Sequence, residues 1–293
     1  MNAEVEYLSA ELRDELAANN VRRLIDPRSI PLRFSHLKAI SQSPAHALQA
    51  VQDDRDETLA IRLGAGTHAL CFGKPVAIWD QPAKTGKGKA PRNGSAWDEF
   101  RAENAGAVIL NRKEHDQATA VASSLQAHPI ASKLLFGPGV IHEQTIHWKM
   151  DGRDCRSTPD ARGPDHLVEL KTTRCAEPRK FERDARFRGY HVQCAHQGMA
   201  IAAETGWPPL HYFIVSVETV KPYVVHVHEL SERAIARGEQ LAWAWFRQFR
   251  ACEDAGKWPG YSQDVTTFDV PEDDDFVPTP LVFDEPSVFG DEP

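Results

Sequence analysis

The sequence predicts a mixed α/β protein in which helices flank both faces of a central β-sheet. Three strand signals, one long helical stretch and two further strand signals follow one another between residues 140 and 229. Strands on either side of a crossover helix indicate a mixed sheet. The composition, with 41% hydrophobic and 26% charged residues, is ordinary for a globular protein of 293 residues.

The part of the chain before the sheet, up to about residue 135, is predicted to be helical. Helical periodicity covers residues 7–19, 35–50, 59–72, 95–104 and 111–127. Ser35 is the expected N-cap of the second helix, and Pro44 is expected to kink or divide that helix. Gly64 and Gly66 weaken the third helix, because glycine has a low helix propensity.

The core sheet is predicted between about residues 140 and 230. Strand composition covers residues 140–149, 154–162, 166–172, 210–218 and 222–229. A long helix over 177–204 separates the third strand from the fourth, and a final helix covers 231–255. We therefore expect one domain over 1–263.

Residues 264–293 differ from the rest of the chain in charge. They contain ten acids and no lysine or arginine, so that removing them changes the net charge from −8 to +2. The segment is rich in proline and lacks helical periodicity, which predicts a largely disordered acidic tail. Its role is either solubility or the docking of a partner protein through four apolar side chains, Phe276, Leu281, Phe283 and Phe289.

Apolar runs and cysteines indicate the compartment. No apolar run approaches the roughly 20 residues that a membrane span needs. The N-terminus is amphipathic and acidic, unlike a signal peptide, so we expect a cytoplasmic protein with no membrane partner. The five cysteines are odd in number and form no CxxC pair, which indicates neither a disulfide framework nor a zinc site or iron–sulfur cluster.

Three charged residues surround a strand of otherwise buried character in the segment PDARGPDHLVELKTT, residues 159–173. Glu169 and Lys171 point to the same face of this strand, and a hairpin through Gly163 would bring Asp160 beside Glu169. Buried charges are costly unless they are paired or bind a metal. Carboxylate oxygens suit Mg²⁺ or Mn²⁺, which points to metal-assisted phosphodiester hydrolysis. The alternative is an ordinary Glu169–Lys171 ion pair on a half-exposed strand.

The spacing from Pro159-Asp160 to Glu169-Leu170-Lys171 matches the PD-(D/E)XK nuclease signature. The ending ELKTT resembles RecB-like and exonuclease VIII-like members. Five further segments resemble, in the same order, parts of RecE-type nuclease domains of phages and prophages: SHLKAISQSPAHALQ, GAGTHALCFG, KTGKGKAPRNGSAWDEF, HPIASKLL and GYHVQCAHQGMA. The resemblance covers about residues 30–230 and implies the restriction-endonuclease-like core of that superfamily.

The resemblance also implies a role for individual residues. The implied metal ligands, of which the carboxylates are also catalytic, are His68, Glu143, Asp160, Glu169 and the Leu170 carbonyl. Lys171 matches the catalytic lysine, and Tyr190 and Gln193 match a YxxQ element that positions DNA or the lysine and carboxylates. Thr158 departs from the family, which often has a basic residue there, and this departure concerns a secondary phosphate contact.

Structural alternatives stay open for four of these residues. His68 on a helix is alternatively a hydrogen-bonded core histidine, and Glu143 is alternatively a solvated strand residue. Tyr190 and Gln193 lie three positions apart on a helix, where they alternatively only pack and hydrogen-bond.

By resemblance, the protein is expected to be a Mg²⁺-dependent exodeoxyribonuclease, with Mn²⁺ as a second candidate metal. Its substrate would be the ends of double-stranded DNA, digested 5′ to 3′ to 5′-phosphate products. The remaining single strand would serve an annealing or other recombination protein, docked by the acidic tail, and the chain would assemble into a ring. The alternatives are a DNA-binding or recombination-partner module with an inactive nuclease fold, and a single-strand or structure-specific endonuclease.

A basic, glycine-containing loop, KTGKGKAPRNG, covers residues 84–94. We interpret it as a flexible loop that contacts the DNA backbone through Lys84, Lys87, Lys89 and Arg92. The alternative is an ordinary exposed surface loop.

Overall fold

A computed structural model describes residues 25–52, 58–81, 91–262 and 265–267. The helices are α1 (Phe34–Ile40), α2 (Pro44–Val51), α3 (Leu59–Cys71), α4 (Ser95–Glu103), α5 (Arg112–Ala127), α6 (Pro129–Phe136), α7 (Pro178–Phe187), α8 (Tyr190–Thr205) and α9 (Glu232–Ala255). The strands are β1 (Val76–Ile78), β2 (Val108–Leu110), β3 (Ile141–His142), β4 (Ile146–Met150), β5 (Arg153–Ser157), β6 (Ala161–Arg162), β7 (His166–Thr173), β8 (His211–Glu218) and β9 (Val225–Glu229).

The central sheet has five strands in the order β3-β6-β7-β8-β9. The β7–β8 pair is parallel and the other three pairs are antiparallel. The chain passes from β7 to β8 through α7 and α8, because parallel neighbouring strands require a crossover connection. The predicted mixed sheet is therefore confirmed.

Helices cover both faces of this sheet, as predicted. On one face, Val168 and Leu170 of β7 pack against α3, α5 and α6. On the other face, Leu167 of β7 packs with residues of α7, α8 and the start of α9. Since side chains alternate along a strand, Glu169 and Lys171 lie on the face that α8 covers.

Two predicted strands are wrong in their extent. The predicted strand 140–149 is divided into β3 and β4, because Glu143 has a φ of 44° and turns the chain out of the sheet. The predicted strand 154–162 is likewise divided into β5 and β6, and β4 pairs with β5 as a separate two-stranded sheet. This hairpin leaves and rejoins the main sheet between β3 and β6.

Two predicted helices are also divided. The predicted helix 177–204 is two helices, α7 and α8, because Gly189 adopts a left-handed φ of 69° between them. Pro44 divides the predicted helix 35–50, as expected, and Ser43 caps the second part through a hydrogen bond from His46 N–H. The prediction of Ser35 as the N-cap at the start of this helix is wrong, because α1 begins at Phe34 and Ser35 lies inside it.

The remaining predicted helices agree with the structure, except that residues 7–19 lie outside the described residues. Helix α3 matches the prediction despite its glycines, and Gly66 is needed there, since a Cβ would lie 2.7 Å from a Leu110 methyl group. Strands β1 and β2 and helix α6 were not predicted. Among the described residues, no helix combines the length and apolar character that a membrane span requires.

The chain divides into two units, Met1–Gly260 and Tyr261–Pro293. All helices and strands named above belong to the first unit. The predicted acidic tail lies almost wholly outside the described residues, so both the tail and the expected domain limit at residue 263 stay predictions.

Candidate active site

Three side chains from separate segments form a group that we call the histidine–carboxylate cluster: His68, Glu143 and Asp160. His68 lies in the last turn of α3, Glu143 follows β3 and Asp160 precedes β6. The Glu143 N–H donates to the Asp160 carbonyl at 3.1 Å, which holds the two acidic segments side by side. One ligand atom from each residue lies within 4.8 Å of the other two, a separation that one metal ion can span.

Asp160 is the most buried member of this cluster, with 8% exposure. The Leu170 N–H donates to its Oδ2 at 2.7 Å, while its Oδ1 lies 3.5 Å from His68 Nδ1. Burial and the charge of Glu169 raise the pKa of Asp160 to about 7, although His68 and Lys171 act in the opposite direction. The charged form of this carboxylate is therefore disfavoured, first by its burial and then by Glu169, and a bound cation would stabilise it.

Glu143 carries the second carboxylate of the cluster. Its Oε1 lies 3.6 Å from His68 Nδ1, and its other oxygen forms an ion pair with Lys74. Burial would raise the pKa of Glu143, but the contacts with His68 and Lys74 lower it below its ordinary value. Burial would lower the pKa of His68, but Asp160, Glu143 and Glu169 raise it. No pattern in the sequence indicates a role for Lys74, which lies beyond the end of α3.

A second group, the lysine cluster, consists of Glu169, Lys171, Gln193 and Gln197. Glu169 is 2% exposed; its Oε1 accepts hydrogen bonds from Lys171 and Gln193, and its Oε2 accepts one from Gln197 at 2.9 Å. Gln193 also accepts from Lys171 Nζ at 3.2 Å. The Gln193 side chain thus forms hydrogen bonds with both the Glu169 carboxylate and the Lys171 ammonium group.

Lys171 is held as a cation in this cluster. Burial would lower its pKa, but the charges of Glu169 and Asp160 raise it well above its ordinary value. Its Nζ also lies 4.6 Å from the centre of the Tyr190 ring, at cation–π distance. The structure therefore places Tyr190 and Gln193 in direct contact with Lys171.

The amino-acid sequence matches the model of one known protein family. A model of a "PDDEXK-like domain of unknown function (DUF3799)" matches residues 33–270. The chain belongs to this PDDEXK-like family. This places it in the PD-(D/E)XK superfamily that the sequence signature indicates. None of the curated proteins compared with it matches significantly.

Solved structures agree with the PDDEXK-like fold. A protein from Eubacterium rectale, provisionally assigned as an exonuclease, matches with a TM-score of 0.55 and 12% identity over 85% of this chain and 87% of that chain. At this identity the match shows a shared fold. An alkaline exonuclease from Laribacter hongkongensis matches with a TM-score of 0.29 and 18% identity, over 67% and 93% of the two chains. That score is too low to support an argument.

The ligands of the PDDEXK-like site fit a divalent cation. One imidazole and two carboxylates with hard oxygen atoms are suited to Mg²⁺ or Mn²⁺, and the raised pKa of Asp160 reflects its burial and then the nearby charge of Glu169. Glu169 stands beside this cluster but is not a member of it, since its oxygens accept bonds from three side chains of the lysine cluster. The Leu170 N–H binds Asp160, and a metal contact of the Leu170 carbonyl stays a prediction.

The half-exposed alternative for Glu169 and Lys171 does not describe this PDDEXK-like protein. The two side chains form an ion pair, but the carboxylate is buried under α8. Sequence reasoning missed Gln197, although it lies four residues after Gln193 and therefore on the same face of α8.

Of the four basic-loop residues expected to contact DNA, one lies in the described part of this PDDEXK-like chain. Lys84, Lys87 and Lys89 lie outside the described residues. Arg92 is described, and its guanidinium donates to Glu114 at 2.6 Å and lies 5.7 Å from the centre of the Trp97 ring. The predicted DNA contact of this loop stays a prediction.

Proposed function

We propose that this protein is a divalent-metal-dependent exodeoxyribonuclease of the RecE type, within the RecB-like branch of its superfamily. It hydrolyses phosphodiester bonds at the ends of double-stranded DNA, in the 5′ to 3′ direction. One observation carries the proposal: the histidine–carboxylate cluster stands directly beside a buried Glu169–Lys171 pair. An ordinary core has no use for this concentration of charge.

The metal of this proposal is Mg²⁺, with Mn²⁺ as a substitute. His68, Glu143 and Asp160 would hold it, and Glu169 and the Leu170 carbonyl are the further proposed ligands. When bound, a divalent cation polarises the scissile phosphate and lowers the pKa of a bound water. The chain's own contribution is to fix these ligands from three segments, through the Glu143–Asp160 backbone bond and the Leu170–Asp160 bond.

Lys171 acts as a hydrogen-bond donor and a positive charge in this reaction. Its raised pKa keeps it protonated, so that it orients the attacking water and neutralises phosphate charge rather than removing a proton. Gln193 is a positioning residue, because it contacts both Lys171 and Glu169 and fixes the distance between them. The face of the Tyr190 ring contacts this ammonium group at cation–π distance.

The reaction is an in-line displacement at phosphorus. The water oxygen forms a bond to phosphorus while the bond to the 3′ oxygen breaks, and that oxygen takes up a proton. The released nucleotides carry a 5′-phosphate, and the opposite strand is left with a free 3′ end for recombination.

The proposed partners extend this activity. The acidic tail docks a single-strand annealing protein or another recombination partner, in a cytoplasmic, phage-derived recombination system. A ring of identical chains around the DNA would keep the enzyme on its substrate.

The test is digestion of linear duplex DNA, labelled separately at its 5′ and 3′ ends, with Mg²⁺ or with EDTA. We expect metal-dependent release of 5′-terminal nucleotides by the wild type and none by Asp160→Ala or Lys171→Ala. Covalently closed circular DNA is the control, since an end-dependent enzyme leaves it intact and an endonuclease cuts it. Binding of DNA without cleavage in either metal would replace the nuclease proposal with that of a binding module.

A further inference from the structure

A cavity of about 700 Å³ lies between α7, the end of β9 and the first turns of α9. Phe181, Ile214 and Leu230 contribute apolar surface to it. Of the residues that line it in the described part of the chain, none belongs to the histidine–carboxylate cluster or to the lysine cluster. Its volume is that of an ordinary small-molecule site. The cavity is therefore a second concave site, separate from the proposed catalytic one.

Three arginines make the lining of this cavity basic: Arg186 from α7, and Arg233 and Arg237 from α9. Within the described residues, none of the three guanidinium groups forms an ion pair with a carboxylate; Arg237 donates to the amide oxygen of Gln240 at 3.3 Å. The first turn of α9, after its N-cap Ser231, also lies at the cavity. Arginine side chains and a helix N-terminus together favour an anion.

Two carboxylates at the cavity are each close to a histidine. Glu229 Oε1 lies 2.7 Å from His211 Nδ1, and Glu182 Oε1 lies 3.8 Å from His228 Nδ1. Neither carboxylate forms an ion pair with one of the three arginines.

Two histidines in the lining have unused hydrogen-bonding groups. His191 Nδ1 and His228 Nε2 are both buried and have no hydrogen-bond partner within the described residues. The His228 ring is stacked on Phe181, with centroids 5.2 Å apart and an interplanar angle of 19°. Buried polar atoms of this kind are normally paired, so their position beside a cavity indicates a polar ligand.

We propose that this cavity binds a nucleotide, with the phosphate held by Arg186, Arg233 and Arg237 and the base against the apolar lining near Phe181 and His228. A planar guanidinium group can bind two oxygens of one phosphate in bidentate fashion. A base has both a flat face and polar edges, which match the stacked rings and the unpaired ring nitrogens.

The cavity and the lysine cluster lie on the same face of the sheet. Ile214 of the cavity is the partner in register of Glu169 on the neighbouring strand, so their side chains project from the same face. The nucleotide is thus either a unit of a strand that passes from the catalytic site or the nucleotide that the reaction releases.

The experiment is calorimetric titration of the full chain in EDTA, where hydrolysis cannot occur, so this inference succeeds or fails separately from the proposed nuclease activity. The probes are thymidine 5′-monophosphate, thymidine, inorganic phosphate and a short oligothymidylate. We expect the monophosphate to bind and thymidine to bind at least about tenfold more weakly, since the charge-assisted contacts to phosphate are lost. If the oligothymidylate binds more tightly than the monophosphate, the cavity is a site for a DNA strand. If the two bind with equal affinity, the cavity is a site for the released nucleotide.

Variants locate the binding within the cavity. Arg186→Ala and Arg237→Ala are each expected to weaken binding of the monophosphate about tenfold or more. The matched control is Arg183→Ala, which removes an exposed arginine of α7 that does not line the cavity, and it is expected to bind like the wild type. Circular dichroism confirms that each variant is folded. Absence of monophosphate binding, equal binding of thymidine, or wild-type affinity in Arg237→Ala would each overturn the proposal.

Discussion

Two regions of this protein bury charged side chains, and they do so in opposite ways. Between β5 and α9, Arg153 donates to Glu253 at 3.0 Å. It also donates to the carbonyls of Pro27 and Ile30, at 2.6 and 2.9 Å. Glu253 also accepts from Arg250 at 2.9 Å. At the histidine–carboxylate cluster, the Asp160 carboxylate has no arginine or lysine as a direct partner among the described residues, and burial together with the charge of Glu169 raises its pKa to about 7.

The difference shows which buried charges serve stability and which serve chemistry. The Arg153–Glu253 pair has a partner for its charges within the fold, so nothing further is needed there. At Asp160, burial and the charge of Glu169 disfavour the charged carboxylate, and protonation or an added cation would relieve this. Changes at each of these two regions should therefore affect stability and activity differently.

Asp160→Asn is expected to reduce hydrolysis strongly while leaving the protein folded. The change replaces the anionic oxygen that we propose binds the metal with a neutral amide, and it should reduce the rate about a thousandfold, or about 4 kcal/mol. It also removes a repulsive charge, so the thermal midpoint without metal should equal or exceed that of the wild type. Digestion of end-labelled duplex and a melting curve measure the two effects. A variant that loses activity because it unfolds would contradict the comparison.

Arg153→Met is expected to do the reverse. It leaves the Glu253 carboxylate buried without its main partner, which costs about 3 kcal/mol of unfolding free energy. Activity should persist at temperatures where the variant is folded, since Arg153 has no contact with either cluster. Urea unfolding measures the loss. The double variant Arg153→Met/Glu253→Leu is the control and should recover most of it, because no unpaired charge remains.

Divalent metal is expected to stabilise the wild type. Mg²⁺ at about a hundred times its dissociation constant should add about 2.7 kcal/mol, seen as a rise in the thermal midpoint. Asp160→Asn should lose most of this rise, whereas Arg153→Met should keep it. Equal metal-induced shifts in the wild type and Asp160→Asn would place the metal elsewhere.

The smallest expected effect concerns His196, which is buried near β5 and lies 3.2 Å from the Ser157 hydroxyl. Burial lowers the pKa of His196 to about 4. Between that value and the ordinary pKa of about 6.5, the unfolded chain binds more protons at this residue than the folded chain does. Stability should therefore fall as the pH drops through this range, by at most about 1.4 kcal/mol per pH unit.

The measurement is urea unfolding of the wild type and His196→Gln between pH 7 and pH 5. The slope of stability against pH should become shallower in the variant. His147→Gln, at an exposed histidine of β4, should keep the wild-type slope. The same slope in all three proteins would show that His196 does not titrate differently in the two states.

The class of the fold and the central part of the candidate site follow from local patterns in the amino-acid sequence. Strand β7 was predicted almost to the residue, because alternation of apolar and charged side chains is a local property of the chain. The spacing of Asp160, Glu169 and Lys171 indicated a nuclease-like site for the same reason. These features need no knowledge of distant segments.

The points at which strands and helices are interrupted, and the side chains that come into contact, depend instead on the packing of distant segments. Residues 140–149 have strand composition throughout, but pairing with β6 on one side and β5 on the other requires the turn at Glu143. Lys74 reaches Glu143 across 69 residues of sequence, and the arginines of the nucleotide cavity come from α7 and α9. Such contacts depend on how helices pack on the sheet, and packing is a property of the whole chain rather than of any one segment.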